Sequence, residues 1–353
     1  MLLVALFLFI ALWNVATVEA GQLYELSQRA SEIDAAAQEH PELGFIFSDP
    51  KTGKPADIEH AIVDTRVPSK RRLVIWLMAY SPELFDRLAG YGLHGIQVHY
   101  ANRWFGTVPP DVRDAGGVLG PIRLEAATGE DYSPLVSIPK PDGMKERARQ
   151  FLRWLQKENP QGRWGQFLTN DQSDLRWEKV IMAGSSHGST TAARFSMHQS
   201  VDRVVMFCGP RDNTETWQGG RSATPPHRFF GFTHVLDNGW QEDHYCRSWQ
   251  LLKLNQCGDV VNVEKSSPPY ENTRRLITDC DLKGNVRQAH SGVVPKQSAF
   301  KNAEGVFRHE AVWKYLFLHP VDKIGEAAGQ DADSEMPPYC FTMIDLPSLN
   351  VSE

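Results

Sequence analysis

An apolar run, Val180 to Ala183, stops at Gly184; Ser185, Ser186, His187 and Gly188 follow, and then a small-residue segment that reads as helix. Glycines two positions either side of a serine, between a strand and a helix, form the nucleophile-elbow pattern. Its logic is steric. A serine on so sharp a turn takes a strained backbone conformation, and side chains two residues away on either side would clash. The helix that follows aims its first amides at the serine, where negative charge would develop during an attack on a carbonyl.

The segments around this turn alternate between strand-like and helix-like patterns. Leu73–Met78, Gly95–His99, Val201–Cys208, Phe229–Leu236 and Asn272–Asp279 read as buried strands. Pro82–Tyr91, Gly143–Glu158, Cys246–Leu254 and Glu304–Phe317 read as helices, with Asp142 as the expected cap of the second. Such alternation predicts an α/β fold, a mostly parallel central sheet with helices on both faces. Residues 101–141 read as an irregular excursion, and residues 211–227 as a loop able to cover a site. The expected organisation is a signal peptide over 1–20, an N-terminal extension over 21–70 with a helical patch from Leu23 to Gln38, a main domain over 71–320, and a C-terminal tail over 321–353, disordered at Asp331–Glu335.

An activated serine needs a base to take its proton and a third group to orient that base. In this architecture both follow the serine, acid before histidine, each after a later strand. Asp237 ends the Phe229–Leu236 strand and is the expected acid; Asp243 is the alternative, whose bland explanation is a helix-start residue. The plain reading of Asp237 is an Asp-Asn-Gly turn. His290, in a loop between the last strand and last helix, is the expected base. His309 and His319 lie on or after that helix, and His187, inside the elbow, cannot readily fold back onto Ser186. The oxyanion donors expected are the amide of His187 and one from the turn at Ala79 and Tyr80, where the Tyr80 side chain could equally line an acyl pocket.

These residues, Gly184–Gly188, Asp237 and His290 in that order, resemble the α/β-hydrolase superfamily, and specifically secreted bacterial-type serine esterases, over roughly residues 70–320. The His-Gly-Gly-Gly segment of some lipases is missing. The resemblance implies an α/β-hydrolase fold with loop insertions over the site, and cleavage of a carboxylic ester, in a small molecule or a polymer, through an acyl-enzyme. No cofactor is called for. The other readings are a peptidase or amidase on the same triad, or a binding protein on a hydrolase scaffold.

Composition bounds the rest. A net charge of −6 and a pI near 6.1 do not suggest a nucleic-acid partner. The apolar Leu2–Trp13 segment is short for a bilayer span, and Val18-Glu19-Ala20 offers a cleavage site; the expectation is a secreted or periplasmic protein with no stable membrane association after signal removal, against a retained anchor. Among five cysteines, Cys246 and Cys257 are close enough in sequence to pair. His234, Asp237, Asp243 and His244 match no metal-ligand spacing, so no metal is expected. Trp104, Phe105, Trp217 and Trp240 read as core first and pocket second.

Overall fold

In the computed structural model, residues 21–327 are described, except 115, 213–214 and 242–243 and the side chains of 114, 215–216 and 241. The expected signal segment, Asp243 and the tail from 328 onward lie outside the described residues.

Nine strands form one sheet: β1 (Leu23–Arg29), β2 (Ile58–Asp64), β3 (Leu73–Leu77), β4 (His94–Gln97), β5 (Val180–Ser185), β6 (Arg203–Phe207), β7 (Phe229–His234), β8 (Val260–Asn262) and β9 (Arg275–Thr278). Their order is β1-β2-β4-β3-β5-β6-β7-β9-β8. The pairs β1–β2 and β2–β4 are antiparallel and every other pair is parallel. The central strands are buried along their whole length, Leu-Val-Ile-Trp-Leu in β3 being the clearest case, because helices cover a parallel sheet and no position faces water. Registers pair Leu77 with Gly184, Ser185 with Phe207, and His234 with Thr278. The carboxyl ends of β3, β5, β6, β7 and β9 therefore emerge along one edge, where an open α/β sheet places its ligands.

Several expectations change. The patch from Leu23 begins as strand β1, whose burial alternates in period two, and only Ala30–Ile33 is helical. Residues 21–70 thus add β1 and β2 to the sheet. Asp142 does not cap the helix Met144–Glu158; Gly143 occupies the cap position. Asp142 is buried instead, accepting from Arg147 (2.6 Å), His40 (2.8 Å) and the Gln38 amide (3.0 Å), which ties the N-terminal segment to that helix. The stretch 101–141 contains a second long helix, Leu119–Thr128, whose residues are nearly all buried. Cys257 is a free thiol, so the Cys246–Cys257 pair does not form, although Cys246 is disulfide-bonded. No helix among the described residues is long and apolar enough to cross a membrane.

The sharpest packing constraint is at the elbow. A Cβ on Gly188 would lie 1.5 Å from the Leu77 carbonyl oxygen, and one on Gly184 would lie 2.4 Å from the Gly188 carbonyl carbon. Gly188→Ala is therefore expected to cost about 3 kcal/mol of stability. Gly90→Ala, at a helix position with nothing within 4 Å, should be neutral or stabilising by about 0.5 kcal/mol. Urea denaturation of both variants checks the pair, and equal midpoints would refute the constraint.

Candidate active site

Ser186 sits between β5 and the helix His187–His198 at φ 53°, ψ −119°, a conformation that costs a non-glycine residue roughly 1–3 kcal/mol. The surroundings leave it little alternative. Its amide donates to the Phe207 carbonyl (2.9 Å), and its own carbonyl accepts from Ser189 Oγ (2.7 Å), Thr190 Oγ1 (3.0 Å) and the Thr190 amide (3.2 Å).

Asp237 follows β7 and is 1% exposed. Its Oδ2 accepts from His290 Nδ1 at 2.7 Å; its Oδ1 accepts from the Gly239 amide (3.0 Å) and the Tyr245 hydroxyl (3.2 Å). Burial alone would raise its pKa. The His290 hydrogen bond and charge, with the Gly239 amide, outweigh burial and hold the carboxyl below its ordinary range. The Asp-Asn-Gly turn and the carboxylate–imidazole contact thus occur together. His290 lies on the one-turn helix Gln288–Ser291 rather than in a plain loop.

Cys208 sits between the serine and histidine segments. It follows Phe207, which accepts from Ser186, and its own thiol donates to the His290 carbonyl at 2.9 Å. Burial and the Asp237 charge push that thiol's pKa well up, so it stays a neutral spacer. The Ser186 hydroxyl and His290 Nε2 are not hydrogen-bonded to each other; such contacts are commonly long without substrate and tighten on binding.

The amides of His187, Ala79 and Tyr80 donate no hydrogen bond among the described residues. Tyr80 stacks on His60 with centroids 3.9 Å apart and lines a cavity of about 600 Å³, together with Ala79, Tyr100, Phe105 and His187. Ser186 opens on a second cavity of about 610 Å³ that shares Phe105 and His187 with the first. Trp104, Trp217 and Trp240 are core residues; Phe105, 38% exposed, is the aromatic that reaches the site.

The salt bridge Arg123–Asp212 is a feature the sequence did not reveal. Arg123 Nε and Nη2 donate to the two Asp212 carboxylate oxygens, each at 2.7 Å, with both side chains 2% exposed. Arg123 Nη1 also donates to the His187 carbonyl (3.1 Å) and to Thr191 Oγ1 (3.0 Å), bracing the first turn after Ser186. Burial and the Arg123 charge keep the His187 imidazole neutral.

Of the candidate metal group, Asp243 lies outside the described residues. His234 bonds the Cys280 carbonyl and the Leu236 amide, whereas Asp237 is committed to His290. Cys208, Asp237 and His290 bring ligand-type atoms within 4.8 Å of one another, as do Glu264, Cys280 and His309. Both are hydrogen-bonded networks. Glu264 accepts from Thr278 (2.6 Å), Arg308 (2.8 Å) and His309 (2.9 Å), anchoring both ends of the chain segment that carries His290.

No protein-family model matches this sequence, and no curated protein matches it. Similar solved structures include a putative dienelactone hydrolase from Klebsiella pneumoniae subsp. pneumoniae (10% identity, TM-score 0.33, covering 73% of this chain and 86% of that one). Another is the Thermogutta terrifontis esterase 2 with butyrate bound (12%, TM-score 0.33, 78% and 92%). A third is an α/β serine hydrolase without a lid from Xanthomonas campestris (11%, TM-score 0.28, 64% and 79%). Likeness at that level carries no argument of its own. The class follows from the topology: a nine-stranded, mostly parallel sheet with a Gly-x-Ser-x-Gly elbow at the end of β5 is an α/β-hydrolase fold.

Glu264 supports a prediction about the acid limb of stability. Burial would raise its pKa, but the His309, Thr278 and Arg308 hydrogen bonds overcome this and draw it to about 2 from an ordinary 4.5. A folded-state value below the unfolded one gives stability that is present above pH about 4.5 and is lost as pH falls towards about 2. Glu264→Gln is expected to remove on the order of 2 kcal/mol at neutral pH and to flatten stability over that window. Denaturation midpoints at stepped pH check this; parallel acid limbs in both proteins would contradict it.

Proposed function

We propose that this chain is a serine hydrolase cleaving carboxylic esters, with Ser186 as nucleophile, His290 as general base and Asp237 as the group that orients the base. The observation that carries the reading is the 2.7 Å contact between His290 Nδ1 and the buried Asp237 carboxylate, beside a serine held at positive φ. An imidazole whose Nδ1–H is fixed by a carboxylate presents the unprotonated Nε2 that a serine hydroxyl needs.

In the proposed sequence Ser186 Oγ attacks the acyl carbon while its proton passes to His290 Nε2. Asp237 stabilises the imidazolium that forms. The oxyanion is received by the His187 amide and by the Ala79 or Tyr80 amide, whose lack of protein acceptors supports that role. Collapse of the intermediate expels the alcohol, which takes the proton from His290. Water then repeats the steps on the acyl-enzyme and releases the acid. Residues 1–20 act in this reading as a signal peptide, which places the mature protein outside the cytoplasm, secreted or periplasmic.

A fluorophosphonate reagent should label the protein at Ser186, and Ser186→Ala should abolish the label. Asp237→Asn, which supports the wrong tautomer, should lower kcat on p-nitrophenyl esters by about 10⁴-fold. Label that survives Ser186→Ala would overturn the assignment. Faster turnover of matched p-nitroanilides than of p-nitrophenyl esters would favour an amidase.

A further inference from the structure

The cavity that contains Ser186 is lined by three guanidinium groups, Arg113, Arg123 and Arg211, and by one carboxylate, Asp212. They are not equivalent. Arg123 and Asp212 form a closed bidentate pair, and the remaining Arg123 donor is taken by His187 and Thr191. That pair neutralises itself and offers nothing to a ligand.

Arg113 and Arg211 are left over. Arg113, on the short helix Pro110–Asp114, lies with its guanidinium carbon 4.5 Å from the centroid of Phe105. Its Nε is shut off from solvent and has no hydrogen-bond partner among the described residues. A surface arginine would satisfy that donor with water; here an N–H is desolvated and unanswered, which is costly unless a ligand supplies the acceptor. Arg211 follows β6, and its amide is pinned to Thr190 Oγ1 at 3.1 Å, so its backbone is fixed against the helix that begins after Ser186. Its side chain makes no ion pair among the described residues. Thr190 lines the same cavity.

We infer that this cavity selects an ester bearing a carboxylate away from the scissile bond, held by Arg113 and Arg211 while Ser186 reaches the acyl carbon. The inference rests on the serine-esterase reading for the bond that is cut, but the anion site itself stands on the two arginines. Guanidinium groups match carboxylate oxygens in plane and in spacing, and low-dielectric walls such as Phe105 strengthen the attraction. The site's positive field is local, since the chain as a whole carries −6. The neutral His187 does not oppose it.

The test has two arms. In the first, glutarate is titrated calorimetrically into the Ser186→Ala protein, with dimethyl glutarate and inorganic phosphate as comparisons. Glutarate should bind and the diester should not. Arg113→Gln and Arg211→Gln should each weaken glutarate about tenfold, Arg113→Lys should recover part of the loss, and raised salt should weaken binding throughout. In the second, the active enzyme is given mono-p-nitrophenyl glutarate and its methyl-capped counterpart. The ratio of kcat/KM, charged over capped, should exceed about ten and fall towards one when both arginines are replaced. The ratio is insensitive to how much of a variant is folded. Glutarate binding without hydrolysis of either ester would overturn the esterase reading and leave the anion site standing. Equal turnover of both esters with no glutarate binding would overturn the anion site and leave the esterase. Tight phosphate binding with no glutarate binding would overturn the carboxylate assignment.

Discussion

The close approach of Gly188 to the last carbonyl of β3 is the contact on which the rest of the site depends. With the Leu77 oxygen 1.5 Å from where a Cβ would be, the helix after Ser186 is seated directly on the end of the neighbouring strand. Three consequences share that one geometry. Ser186 is forced to positive φ and so projects above the sheet. The first amides of the helix face the same side. The turn at Met78–Tyr80 is brought beside them, because it is the continuation of the strand whose carbonyl is being touched. A single added methyl group would separate Ser186 from the amides on both sides.

Strain at Ser186 is tolerated because the buried carboxylates around it are paired. Buried charges cost several kcal/mol each when unpaired, yet Asp237 has three donors and Asp212 has a bidentate arginine. In each case the pair does more than neutralise charge. Asp237 fixes which imidazole nitrogen carries the proton. Arg123, held rigid by Asp212, grips the His187 carbonyl, and its charge adds to burial in keeping the imidazole beside it uncharged. Losing either carboxylate would strand a buried cation or a misoriented imidazole, a larger effect than the few tenths of a kcal/mol expected from an exposed pair.

What could be read from the sequence was whatever local pattern dictates. The Gly-x-Ser-x-Gly turn and the central strands depend on short-range sterics and on continuous apolar runs, and most of those strand ends fall within one or two positions of where the pattern puts them. β1 was misread because Leu23–Arg29 alternates polar and apolar at half-exposed positions on an edge strand, where period two is weak and propensity misleads. The helix Leu119–Thr128 was missed because it is buried all round and so has no amphipathic stripe, and because Gly120 and Pro121 resemble loop punctuation. With that helix went Arg123, whose partner lies 89 residues away in the chain. Cysteine spacing failed for a related reason: Cys246 and Cys257 are neighbours in sequence, but Cys257 is a free, buried thiol.

Overall charge is a poor guide to the site for a related reason. Net charge reports the solvated surface, where ions are screened within about 8 Å at physiological salt. A cavity walled by Phe105 and Leu119 responds to the few charges that face it, and there the balance is set by which arginine has found a carboxylate. Among the described residues Arg123 has, whereas Arg113 and Arg211 have not. Asp212 holds the elbow in shape, so among the described residues the structural demand of a strained serine leaves arginines in excess around its cavity, and in the proposed reaction the elbow that fixes where a bond is cut also shapes what the cavity attracts.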